Sequence, residues 1–187
     1  MRSDSRLILV GSSGRNTGKT HLATAIIAHC AQKTAVYALK VTSVQARGAP
    51  CPRGGDGCGA CALDGDFLLQ QEIPVRSGAS LGTKDTQRML AAGAAESWWL
   101  RSLRDALDDG YRHFAARVPP DAVIVAESNS LRQVVEPAFF VMVDNAAAAP
   151  KASAREVAAA AGLTLRFPYS DAALAQAVAA AYGSLLQ

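Results

Sequence analysis

Residues 13–20 combine the residue types that a phosphate-binding loop requires. They read Ser13-Gly14-Arg15-Asn16-Thr17-Gly18-Lys19-Thr20. Small residues let backbone N–H groups point inward at an anion, and a helix that begins where the loop ends adds its positive dipole end. Lys19 is placed to reach the β- and γ-phosphates of a nucleoside triphosphate, GTP or ATP, and the Thr20 hydroxyl to ligate Mg²⁺. The pattern G-x-x-x-x-G-K-[ST] fails only at its first glycine, which is Ser13 here.

Two carboxylates are candidates to act with Lys19 in catalysis. Glu127 follows the apolar run at 121–126, and ligands bind at the carboxyl ends of strands in open parallel sheets. A carboxylate there holds Mg²⁺ through water or orients the attacking nucleophile, whereas the alternative is a capping or loop residue. Asp85 is the second candidate, with an N-terminal helix carboxylate as its alternative interpretation.

A glycine-rich segment at about 42–74 contains three closely spaced cysteines, Cys51, Cys58 and Cys61. The C-x6-C-x2-C spacing favours a metal site, either Zn²⁺ or an iron–sulfur cluster. Three thiolates are one short of a closed tetrahedral site, and Cys30 reads more simply as a packing residue. A redox-active pair at Cys58 and Cys61, or a mobile loop with incidental cysteines, are the alternatives.

The odd number of cysteine ligands leads to a prediction about assembly. Two copies of the loop in a symmetric homodimer would together supply enough thiolates for one shared cluster. The metal predictions therefore comprise Thr20 and Glu127 for Mg²⁺, and the three loop cysteines for zinc or iron–sulfur.

Strand and helix patterns alternate along the whole chain. This alternation predicts an α/β fold with three layers, in which helices cover both faces of a mainly parallel sheet. We expect one P-loop NTPase domain over 1–187, with the cysteine segment as a loop insertion. Strands are predicted at 7–10, 35–41, 96–100, 121–127, 139–144 and 163–167, and helices at 19–27, 84–95, 103–116, 154–161 and from 171 onward.

Composition limits the partners that we expect. Half of the 187 residues are apolar, and the formal net charge is only +3, with scattered arginines, so a nucleic-acid surface is not indicated. No apolar run approaches the length of a membrane span, and no signal peptide is recognised, so we expect a cytoplasmic protein without membrane contact.

Several segments resemble the molybdopterin-guanine dinucleotide biosynthesis protein B family. The phosphate loop from Arg15 to Thr20 is the specific one. Three weaker segments follow in matching order: Lys40 at the end of the second strand, Lys84-Asp85-Thr86-Gln87-Arg88 with Ala92-Gly93-Ala94, and the strand that ends in Glu127-Ser128. The resemblance covers about the first 145 residues.

This resemblance implies a P-loop GTPase-like fold, often dimeric, that assists maturation of a molybdenum or tungsten pterin cofactor for a metalloenzyme or cofactor-biosynthesis partner. On that basis Lys19, Thr20, Asp85 and Glu127 take nucleotide or Mg²⁺ roles. The chain departs from the family where Val41-Thr42-Ser43 and the cysteine segment replace a His-rich stretch, and at Ser128, where the family has Gly. Two other functions stay open: a metabolite kinase or ligase of the dethiobiotin-synthetase kind, and a non-hydrolysing nucleotide-dependent regulator.

Overall fold

The computed structural model describes residues 1–46, 63–74, 84–147 and 149–186. The strands are β1 (Arg2–Ser12), β2 (Val36–Val44), β3 (Phe67–Gln71), β4 (Glu96–Leu103), β5 (Val123–Glu127), β6 (Val135–Asp144) and β7 (Leu163–Arg166). The helices are α1 (Lys19–Cys30), α2 (Asp85–Ala91), α3 (Leu107–Ala115), α4 (Ala152–Arg155) and α5 (Asp171–Gly183). Over the described ranges the strands form one sheet in the order β3-β4-β2-β5-β1-β6-β7.

The sheet is parallel except at one edge, where β3 pairs antiparallel with β4. The interior strand β1, which pairs with β5 and β6, is buried from Leu7 to Ser12, and successive side chains point to opposite faces. Ile8 and Val10 pack with residues of α1, α2 and α5, whereas Leu7 and Leu9 pack with residues of α3 and α4. The predicted α/β architecture with a mainly parallel sheet is confirmed, with apolar clusters on both faces.

The segment predicted as one long connection at 42–74 differs from the prediction at both ends. β2 continues to Val44, and Phe67–Gln71 forms the edge strand β3. Phe67 and Leu69 are partly buried against the apolar cluster, whereas Leu68 between them is 43% exposed. Alternation over only five residues is too short to be separated from a surrounding loop by sequence pattern.

Three predicted helices have other bounds in the structure. The helix expected at 84–95 is α2, which ends at Ala91. Leu103, expected to begin a helix, is instead the last residue of β4, and its amide donates to the Asp66 carbonyl at 2.8 Å. The helix α3 begins four residues later, at Leu107. The helix expected at 154–161 is the short α4, followed by a 3₁₀ turn at Ala158–Ala160. Among the described residues, no helix is long and apolar enough to cross a membrane.

The register of the neighbouring strands β1, β5 and β2 places three residues side by side across the sheet. Val10 of β1 pairs with Glu127 of β5, and Glu127 pairs in turn with Lys40 of β2. The connection from β1 to α1 follows Ser12, two residues beyond Val10. Lys40 of β2 and Glu127 of β5 therefore lie beside the strand that leads into that connection.

Candidate functional site

The connection between β1 and α1 turns through two left-handed residues. Asn16 has φ 53° and Gly18 has φ 79°, and α1 begins at Lys19 directly after them. A Cβ atom at Gly18 would lie 2.8 Å from Tyr169 Oη and 3.2 Å from the Phe167 ring. Because both the backbone angle and the lack of space exclude a side chain, glycine is required at this position.

Ser13, which replaces the first glycine of the sequence pattern, anchors the start of the loop. It is 4% exposed, and its amide donates to the Val143 carbonyl at 2.9 Å. Its hydroxyl accepts from the Asn145 amide at 2.8 Å, and its carbonyl accepts from the Lys151 amide at 2.9 Å. The serine thus ties the loop to the segment after β6, which a glycine could do only through its backbone.

Asn129 ties the end of β1 to the segment that follows β5. Its Oδ1 accepts from the Ser12 amide at 2.8 Å, and its Nδ2 donates to the Ser12 carbonyl at 2.9 Å. A Cβ at neighbouring Gly11 would lie 2.8 Å from this Oδ1 and 2.5 Å from Met142 Sδ. The glycine at position 11 therefore makes room for the asparagine amide.

Two lysines and two carboxylates meet beside the loop. Lys40 Nζ lies 2.5 Å from Glu127 Oε2 and 2.7 Å from Asp85 Oδ2. Lys19 Nζ lies 3.4 Å from the same Glu127 oxygen, and the Thr20 hydroxyl donates to Asp85 Oδ1 at 3.1 Å. The loop, β2, α2 and β5 thus each contribute to one charge cluster.

Burial and mutual attraction shift the pKa values within this cluster in different directions. Burial lowers the pKa of Lys19 to about 8. The negative charge of Glu127 acts to raise this pKa, and the positive charge of Lys40 acts to lower it. Burial also acts to lower the pKa of Lys40, but the nearby charges of Glu127 and Asp85 outweigh it and raise the value. The pKa of Asp85 is lowered despite its burial because Lys40 stabilises the carboxylate.

Two buried oxygen atoms at the site have no hydrogen-bond partner in the described part of the chain. Glu127 Oε1 is one of them. The Glu127 side chain has no solvent exposure, and both lysines contact its other oxygen, Oε2. The Thr17 hydroxyl oxygen is the other, in a residue 2% exposed. Buried polar atoms without a partner are costly, and a catalytic role or a bound water or ion is among the explanations for them.

Two cavities meet at Lys19. The first, which we call the loop cavity, has about 650 Å³ and is lined by residues 14–20 together with Lys40, Asp85 and Arg88. The second, which we call the Glu127 cavity, has about 610 Å³ and lies between the end of β2, the segment after β5 and the start of α4. Their walls share Arg15, Lys19, Val41, Lys151 and Ser153.

The structure brings most of the predicted site residues together. Ser13 is buried at the start of the loop, residues Gly14 to Thr20 line the loop cavity, and Asp85 and Glu127 both contact Lys40. Arg15 is exposed on the rim of both cavities. Cys51, Cys58 and Cys61 lie outside the described residues.

The prediction of metal cofactors is contradicted. Across the described ranges, no group of three or more His, Cys, Asp or Glu side chains could hold a metal ion. Asp85 and Glu127, the latter predicted for Mg²⁺, share the ammonium group of Lys40, which offsets part of their negative charge and repels a second cation. Thr20, the other predicted Mg²⁺ ligand, donates its hydroxyl to Asp85.

The predicted zinc or iron–sulfur cofactor is corrected on the same finding. Cys30 is the one cysteine within the described residues, and it is free and buried in α1. Burial raises the pKa of its thiol to about 11, so it is protonated and packs among the apolar residues of the core.

Sequence reasoning missed several residues that shape this site. Lys40 entered only through the family resemblance, because a lone lysine at the end of a strand carries no local signal. Asn129 stands two residues after Glu127, and its position just past a buried strand was the available indication. Tyr169, whose hydroxyl donates to the Gly18 carbonyl at 2.8 Å, comes from 151 residues away and has no sequence signal.

No protein-family model, curated protein or solved structure matches this chain.

Proposed function

We propose that this chain is a P-loop protein that binds a nucleoside triphosphate and hydrolyses it beside Lys19 and Glu127. The observation that carries the proposal is the left-handed Gly18 immediately before Lys19 at the first position of α1. A glycine-rich turn between a central parallel strand and a helix, closed by Gly-Lys-Thr, is the arrangement that cradles phosphates.

The charges of the site support phosphate binding. The first turn of a helix has N–H groups without intrahelical acceptors, and α1 is 12 residues long. The Lys19 and Lys40 side chains are 21% and 15% exposed, so their ammonium groups are largely removed from water. The Lys19–Glu127 contact at 3.4 Å is longer than a good charge-assisted hydrogen bond, and a phosphate oxygen could replace it at closer range.

We assign Glu127 as the general base that activates the attacking water. In hydrolysis a water oxygen attacks the γ-phosphorus, the bond to the β,γ-bridging oxygen breaks, and the diphosphate leaves with the electron pair. Lys40 fixes Glu127 Oε2, whereas Oε1 has no partner among the described residues and can accept the proton of the water.

The family resemblance adds a proposed biological role. Its weaker segments contribute Lys40, Asp85 and Glu127, and Lys40 contacts both carboxylates beside the loop. This contact supports the proposal that the chain assists maturation of a molybdenum or tungsten pterin cofactor together with a metalloenzyme or cofactor-biosynthesis partner. The homodimer stays a prediction.

Replacement of the loop lysine tests nucleotide binding. Lys19→Ala removes charge-assisted contacts to phosphate and should weaken binding of fluorescently labelled ATP or GTP by about 100-fold, or about 3 kcal/mol. Lys33→Ala is the matched control, because Lys33 is exposed just beyond the end of α1. Equal dissociation constants for the wild type and Lys19→Ala would refute the proposal.

Replacement of the buried carboxylate tests hydrolysis separately. Glu127→Gln keeps the shape of the side chain but removes the proton acceptor, so phosphate release should slow by about 100-fold or more. Binding of the labelled nucleotide should persist in this variant. Tight binding to the wild type without any turnover would instead favour a nucleotide-dependent regulator.

A further inference from the structure

The Glu127 cavity is larger than hydrolysis requires. A single water molecule needs only about 10–15 Å³ of accessible volume, whereas this cavity measures about 610 Å³. Binding sites for small molecules commonly measure about 300–1,000 Å³. Lys19 lines this cavity as it does the loop cavity, but no residue of α2 does.

We propose that the Glu127 cavity binds a second substrate, a small polar molecule whose hydroxyl or amine group accepts the terminal phosphate of the nucleotide. The inference rests on the proposed function, since it requires a triphosphate held by Lys19. It adds a second nucleophile at the same site: when this molecule is bound it receives the terminal phosphate, and in its absence water does.

The orphaned oxygen of Glu127 indicates that the missing molecule is a hydrogen-bond donor. Oε1 is buried, has no partner in the described ranges, and belongs to a residue that lines the cavity. Lys40 and Lys19 both contact the other oxygen, so the carboxylate is held with Oε1 buried and unpaired among the described residues. A hydroxyl or amine bound here would satisfy this oxygen and would be oriented for attack.

The remaining wall of the cavity suits a polar molecule with an apolar part. Ser43, Ser130 and Ser153 line it, and a serine hydroxyl both donates and accepts hydrogen bonds. The Ser130 hydroxyl lies 3.3 Å from that of Ser128, and Ser153 Oγ accepts from Asn129 Nδ2 at 3.4 Å. Val41 and Val44 of β2 add an apolar surface. At the outer end, Arg104 is paired with Glu156, so the cavity does not present that arginine as an unpaired charge.

The transfer step balances without any further reactant. The acceptor oxygen or nitrogen forms a bond to the γ-phosphorus, and the bond from that phosphorus to the β,γ-bridging oxygen breaks. The nucleoside diphosphate leaves with the electron pair, and the acceptor proton moves to Glu127 Oε1. The products are a phosphorylated metabolite and the diphosphate.

The test follows the labelled terminal phosphate in the presence of possible acceptors. The full chain is incubated with γ-³²P-labelled ATP or GTP and a deproteinised cell extract, and labelled products are separated by chromatography. Ser43→Phe fills the cavity from β2, where an aromatic residue is well tolerated. Ser5→Phe is the matched control, an exposed serine on β1 that lies far from both cavities.

We expect the wild type and Ser5→Phe to form a labelled product other than inorganic phosphate. Ser43→Phe should reduce that product by at least tenfold while it still binds labelled nucleotide. Inorganic phosphate as the sole labelled product of a nucleotide-binding wild type would overturn the second substrate and leave the proposed function standing. Unaltered nucleotide binding by Lys19→Ala would overturn both proposals.

Discussion

Lys40 and Glu127 occupy paired positions on the parallel strands β2 and β5, and Lys40 Nζ lies 2.5 Å from Glu127 Oε2. The same ammonium contacts Asp85 Oδ2 at 2.7 Å, so one lysine holds carboxylates from a strand and from a helix. Because the Glu127 side chain has no solvent exposure, this pairing is what allows a charged carboxylate to lie at the site. Lys40 is therefore a positioning residue for Glu127.

Lys40→Met should destabilise the fold by about 3 kcal/mol, because it leaves the buried Glu127 charge with only the longer contact to Lys19. Urea unfolding at pH 7 measures this loss. The double variant Lys40→Met/Glu127→Gln should recover most of it, since no uncompensated charge remains at that position. A loss below about 1 kcal/mol in the single variant would contradict the pairing.

Asn129→Ala should lower the free energy of unfolding by about 2 kcal/mol, because it removes the side chain that pairs with the buried amide and carbonyl of Ser12. Thermal or urea unfolding provides the measurement. Asn129→Asp is the informative companion: its second oxygen would face the Ser12 carbonyl, so we expect no rescue at pH 7. Wild-type stability of the aspartate variant would show that the donor half of the amide is dispensable.

Gly18→Ala and Gly14→Ala form a matched pair within one loop. Alanine at Gly18 must adopt φ near 79° and meet Tyr169 Oη at 2.8 Å, so we expect a loss of about 1–2 kcal/mol or more. Alanine at Gly14 meets only Thr17 Cγ2 at 3.4 Å, and its stability should remain within about 0.5 kcal/mol of the wild type. Equal melting temperatures for the two variants would contradict the loop geometry.

Nucleotide affinity should depend on pH through Lys19. Phosphate prefers the protonated lysine, and the pKa of Lys19 is about 8 because burial disfavours its charge. The affinity is therefore fully present well below pH 8, and the dissociation constant should rise as pH increases from 8 to 10. Lys19→Arg stays protonated over this range, so any binding it retains should show a flat profile. A flat profile for the wild type would refute the assignment.

The sequence alone determined the features that local physical chemistry controls. The loop at 13–20 was recognisable because glycines, a lysine and a threonine stand at fixed short spacing between an apolar strand and a helix. The buried strand that ends at Glu127 was recognisable because its continuous β-branched run requires burial on both faces. In contrast, the short edge strand β3 and the start of α3 depend on pairing with distant segments, and the sequence pattern did not reveal them.

Only the tertiary structure decided which side chains meet at the loop. The pairing of β2 with β5 places Lys40 against Glu127, which are 87 residues apart in the chain, and α2 brings Asp85 to the same ammonium. The Mg²⁺ prediction was wrong for this reason. Residue types alone suggested a carboxylate ligand, whereas in the fold Lys40 forms ion pairs with Asp85 and Glu127. Strand register is a long-range property, and it determined the partners that local spacing could not.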